Sequence, residues 1–230
     1  MGSEWMSGRL DDGATGAMLA VLYEGSNDDA CDMAAELIGR GESPQSVWDA
    51  LFVGAGELMM RQPGIVAVHA VTSTNALRYA FQACGDENTR KRLLLQNCAF
   101  LPMFRETLRG TLPDIAIDGV QPLAITESSR AIEEIFSDMS TDRMNAARKV
   151  RGYLNDGGEV RNLMNAARRL IFLKGSNAHD YKFSAAVLED YFNVSPRWCD
   201  QFLATSAFFL RGSGDQDNSL VERTRAALQS

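Results

Sequence analysis

The stretch Ser43-Pro44-Gln45-Ser46-Val47-Trp48-Asp49-Ala50-Leu51-Phe52, continuing to Leu58, reads as a helix and decides the fold. Ser43 is of the type that caps a helix N-terminus, and Pro44 suits the first helical position because its missing N–H would have no partner there. Val47, Trp48, Leu51, Phe52 and Leu58 then recur at intervals of three and four, which stacks them on one face. The same period continues in both directions along the chain, and no run of alternating β-branched residues interrupts it. The expectation is an all-α chain, a multi-helix array whose neighbouring helices pack antiparallel across short connections.

Upstream, helices are expected at about Ala14–Tyr23 and from Ser26-Asn27-Asp28 to Gly39-Arg40-Gly41, with polar caps before them and glycines after. Downstream, Pro63 breaks the decisive helix and opens another through Ile65, Val66, His69, Thr72, Ala76, Leu77 and Ala80 to Gly85-Asp86. A long helix from about Glu87 to Arg109 follows, which Pro102 is expected to kink or divide. Residues 110–126, with Pro113, Gly119 and Pro122, read as a long loop and as the one candidate division within a single domain spanning 1–230. Six more helices are expected at about Ser128–Asp138, Thr141–Asn155, Glu159–Lys174, Asp180–Phe192, Pro196–Leu210 and Leu220–Leu228.

Composition narrows the function. Of 230 residues, 23 are Lys or Arg and 30 are Asp or Glu, for a net charge of −7. An acidic balance argues against a general nucleic-acid binder, since neutralising phosphates takes clustered cations. No stretch approaches the roughly 18 apolar residues of a membrane span. Met1-Gly2-Ser3-Glu4-Trp5 has no basic region followed by an apolar run. A reducing cytoplasm is therefore the expected compartment, and Cys31, Cys84, Cys98 and Cys199, which form no C-x-x-C pair, are read as small buried hydrophobes. Nucleotide-binding and hydrolase motifs are absent.

Only two histidines are present, and each sits in a distinctive segment. In His69-Ala70-Val71-Thr72-Ser73, the imidazole shares a helical face with two hydroxyls, one of which could fix its orientation; the alternative is a hydrogen-bonded core histidine on an apolar stripe. In His179-Asp180-Tyr181-Lys182-Phe183, His179 and Lys182 are neighbours one turn apart. A lysine directed inward would lose its proton more readily and could take up CO2 as a carbamate or form a Schiff base. The alternative is that Lys182 reaches solvent beside Asp180 or pairs with Glu189. With a carbamate on Lys182, the two imidazoles and one oxygen would form a donor set of the kind that suits non-haem iron.

These two segments carry a resemblance. His69-Ala70-Val71-Thr72 with Asn75-Ala76-Leu77-Arg78, and His179-Asp180-Tyr181-Lys182-Phe183 with Ala186-Val187-Leu188-Glu189-Asp190-Tyr191, are similar to two motifs of the questin oxidase-like family, in the same order. Ser195-Pro196 and Leu203-Ala204 resemble its next helix. The resemblance implies a helical oxygenase that uses O2, in some members with NADPH as reductant, to oxidise or cleave a quinone-type ring of a small aromatic substrate. It implies non-haem iron held by His69 and His179, with Lys182 carboxylated as a further ligand. Family members are longer and place further histidines in an N-terminal half. The chain is accordingly expected to correspond to a C-terminal half that completes its site with an N-terminal-half polypeptide or by homo-oligomerisation. The alternative is a non-catalytic helical interaction subunit that has lost or only shares the metal. Trp48, Phe52, Tyr181 and Phe183 are the aromatic candidates for the substrate pocket, and the default reading for most of them is a core residue.

Overall fold

A computed structural model describes residues 4–108, 110, 112–125 and 130–229. They form eleven α-helices and no strand: α1 Asp12–Glu24, α2 Asn27–Gly39, α3 Pro44–Arg61, α4 Ile65–Ala83, α5 Glu87–Thr107, α6 Ala131–Asp138, α7 Arg143–Asn155, α8 Val160–Lys174, α9 Ala178–Asp190, α10 Pro196–Thr205 and α11 Ser219–Gln229. The all-α reading is correct, and α3 begins where Ser43 and Pro44 place it. The Ser43 hydroxyl accepts from the Gln45 N–H. The Ser26 hydroxyl and the Asp29 carboxylate close a reciprocal capping box at α2.

Two boundaries differ from expectation. Pro102 lies inside an undivided α5, because it stands on a buried stretch beside Leu101 and Cys98 where tertiary packing holds the helix together. The helix expected to run to Leu210 ends at Thr205 and tightens into a 3-10 turn over Ser206–Phe208. The expected ends at Arg109 and Ser128, and the leading Met1, Gly2 and Ser3, lie outside the described residues.

Sequence neighbours pack antiparallel, as their short links require. The Thr74 hydroxyl donates to the Asn97 amide oxygen across the α4–α5 hairpin at 3.3 Å, and Lys149 of α7 reaches both Glu134 and Asp138 of α6. α3 is the central helix: every residue from Ser46 to Arg61 is buried. One contiguous apolar core runs around it, from Trp5 to Leu210, and draws residues from both sides of the 110–126 segment. That segment is irregular apart from a short turn at Ile117–Gly119, yet Ile117 and Val120 plug into the core. The Leu123 N–H then donates to the Arg148 carbonyl of α7. Among the described residues, no helix is long and apolar enough to cross a membrane.

Candidate functional site

α4 and α9 lie side by side although four helices separate them in sequence. They run in the same direction: His69 near the start of α4 meets His179 at the start of α9, while Asn75 further along meets Glu189 and Asp190 at its end. Asn177 fixes where α9 begins, its side-chain oxygen accepting from the His179 and Asp180 N–H groups. Behind it, Asp180 is clamped by Arg211 at 2.7 Å, by the Ser176 N–H and by the Asn177 amide. Burial pushes the Asp180 carboxyl up, but these donors outweigh it and hold it below its ordinary value.

The two imidazoles meet edge to face, ring centres 5.6 Å apart and planes at 89°. With metal–nitrogen bonds of about 2.0–2.1 Å and a ring centre roughly 1.2 Å beyond each nitrogen, two imidazoles on one ion at about 90–110° stand roughly 4.6–5.3 Å apart. The observed spacing therefore needs only small side-chain rotations to admit one ion between them. His69 is exposed and His179 partly so, which leaves both rings room to rotate. Lys182 is exposed, one turn beyond His179 on the same helix.

The surroundings decide five points that the sequence left open. His69 faces outward from α4, whose buried side is formed by Ala67, Val68, Ala70, Val71 and Thr74. The Thr72 hydroxyl, a candidate to orient His69, instead donates to the Val68 carbonyl at 2.9 Å. Lys182 points to solvent and not into the core, because Phe183, Ala186 and Val187 take the inward positions of α9. Glu189 accepts from Asn75, and Asp180 belongs to Arg211, so neither is the partner of Lys182. Of the four aromatic candidates for a pocket, Trp48, Phe52 and Phe183 are core residues. Tyr181 alone reaches the surface, 38 % exposed.

Among the described residues, no group of three or more His, Cys, Asp and Glu is gathered where it could hold a metal ion. The donor set offered here is thus two imidazoles, with Lys182 one turn beyond His179 on α9. All four cysteines are free, and of these only Cys98 is fully buried.

The part of this helix pair that motif reading gave no role is a buried polar cluster at its far end. Asp190 is fully buried, its carboxylate accepting from Asn75 at 3.0 Å and Asn193 at 3.2 Å. Burial raises its carboxyl to about 7 against the pull of those two amides. Asp49 of α3, equally buried, accepts from Gln45 at 2.8 Å and from the Ser195 N–H at 2.9 Å. Burial raises it as well, and Arg78, which is charged and close to both acids, offsets part of the rise. Arg78 and Asp190 fall within the motif segments, but nothing in the linear pattern shows that they are buried together.

Comparison with family models, with curated proteins and with solved structures finds no match for this chain.

Proposed function

We propose that this chain contributes two imidazole ligands, His69 and His179, to a non-haem iron oxygenase centre of the questin oxidase-like kind. The observation that carries the reading is the edge-to-face meeting of the only two histidines in the chain, brought together from distant helices at a spacing that suits one metal ion. Lys182, exposed one turn beyond His179, would supply an oxygen donor only as a carbamate, formed when its neutral amine adds CO2 and releases a proton, and held in that form by the metal it binds. An iron bound there would supply O2 activation; the chain's own residues would hold it, the Asn177 cap and the Asp180–Arg211 clamp fixing the start of α9 and with it His179. The remaining ligands come from an N-terminal-half polypeptide or a second copy. The substrate is a small quinone-type aromatic, NADPH is the candidate reductant, and the compartment is the cytoplasm.

Metal analysis after anaerobic loading with Fe(II) tests this, with the chain alone and with His69→Ala, His179→Ala and Lys182→Ala. The expected result is bound iron that falls sharply in both histidine variants, together with a CO2-dependent mass gain on Lys182 in the parent. Full metal content in all three variants would sink the ligand assignment.

A second reading, a helical interaction subunit without chemistry, draws support from an apolar groove between α8 and α9. It encloses about 650 Å3 and is lined by Phe172, Tyr181 and Phe192, residues that are 69 %, 38 % and 61 % exposed. It predicts no metal uptake.

A further inference from the structure

On the side of α4 away from His69, a cavity of about 360 Å3 opens where the start of α3, the end of α4 and the start of α5 meet. Its walls carry two guanidinium groups, Arg78 and Arg90, the amides of Gln45 and Gln82, and the apolar surfaces of Pro44 and Phe81, and they include no carboxylate. Among the described residues, no carboxylate lies within ion-pair distance of either arginine, and each has a buried Nε without a partner. In a chain of net charge −7, a pair of unpaired arginines in one concavity runs against the average.

Arg78 is held in place. Its guanidinium lies over the Trp48 ring at 5.3 Å and the Phe81 ring at 5.6 Å, and its terminal nitrogen donates to Gln45 at 2.6 Å. Burial lowers its pKa to about 10, with Asp49 and Asp190 behind it resisting the shift, so it remains charged at neutral pH. A rigid, stacked, desolvated guanidinium with no acid on its open side is the arrangement that recognises an anion. The N-terminus of the 18-residue α3 adds positive potential at the same mouth. The cavity is several times larger than a bare oxyanion needs, and Met6, exposed above the buried Pro44 and Phe81, makes part of its wall apolar.

We infer that this cavity binds a small organic carboxylate with a flat apolar body, its head group on Arg78 and Arg90 and its body against Met6, over the buried Pro44 and Phe81. The site is separate from the histidine pair and does not depend on metal.

Calorimetric titration of the full chain with benzoate, with the neutral isostere benzamide and with inorganic phosphate tests the inference. Benzoate is expected to bind, about tenfold or more tighter than either of the others, because only it satisfies both guanidinium groups and the apolar wall. Arg90→Gln, at the partly exposed start of α5 and checked for native helicity by circular dichroism, is expected to weaken benzoate about tenfold, with Arg90→Lys in between. Equal binding of benzamide, benzoate affinity unchanged in Arg90→Gln, phosphate binding without benzoate binding, or no benzoate binding in the millimolar range would each overturn it.

Discussion

The Asn75 amide donates to the Asp190 carboxylate at 3.0 Å and so ties the middle of α4 to the end of α9 with a hydrogen bond to a fully buried acid. The cost of burying that charge makes the bond a pH-dependent one. Asp190 titrates near 7 in the folded chain and near 3.9 when unfolded. Between those values the folded state keeps a proton that the unfolded state has lost. Stability therefore falls as pH rises, by up to about 1.4 kcal/mol per unit, and levels off above about pH 7.

Asp190→Asn should remove most of that slope while keeping an oxygen to accept from Asn75 and Asn193. Denaturant unfolding at pH 5 and pH 8 is expected to show a large gap for the parent and a smaller one for the variant. Asp49 and Glu57, also raised by burial, leave a residual slope of the same sign. An undiminished gap in the variant would reject Asp190 as its main source.

The clamp on Asp180 predicts the opposite sign. Asp180 is held below its ordinary value, so the stability it contributes is present above about pH 4 and disappears as the carboxyl is protonated. Arg211→Ala leaves a 2 %-exposed carboxylate without its cation and is expected to cost about 2 kcal/mol at pH 7, discounted because Arg211 is itself partly exposed. The cost should shrink as the pH is lowered toward 3 and the carboxyl begins to take up its proton. Chemical denaturation at the two pH values reads the difference, and an equal cost at both would assign the loss to packing.

Gly152 of α7 is needed for its size. A Cβ there would sit 2.0 Å from the Leu123 carbonyl oxygen, where the 120–125 segment crosses the helix. Gly152→Ala would ordinarily favour a helix by about 1 kcal/mol. Here it should destabilise by about 1–3 kcal/mol, because backbone must move to make room. A higher melting temperature in the variant would show that the segment does not pack there.

Burial raises the Cys98 thiol far above its ordinary value, with no accessible surface on the residue. A thiol reagent should label Cys84 rapidly in the native protein and Cys98 only on unfolding. Labelling of Cys98 at the rate of Cys84 would contradict the packing of α2 on α5.

The helices were legible where local signals mark a start or a stop: Ser43-Pro44 before α3, Ser26 before α2 and Gly175 after α8 act within a turn or two of chain. Pro102 shows the limit of such local rules, since its power to break a helix depends on what surrounds it. The site was legible only in outline. That His69 and His179 matter could be suspected from their segments, but spacing along one helix says nothing of a partner five helices away. Whether Lys182 turns inward, whether Thr72 orients His69 and which aromatics lie in the core stayed open for the same reason: which face of a helix is covered depends on neighbours that the period does not name.

Local sequence thus determined the all-α class, the order of the helices and their caps, because these depend on interactions between residues three or four apart. Tertiary packing alone decided that the two histidines meet, that Asp49, Arg78 and Asp190 share one desolvated cluster, and that Arg78 and Arg90 open onto one cavity. Those relationships depend on burial and on long-range proximity, which change a group's charge and chemistry without leaving a mark in the linear pattern.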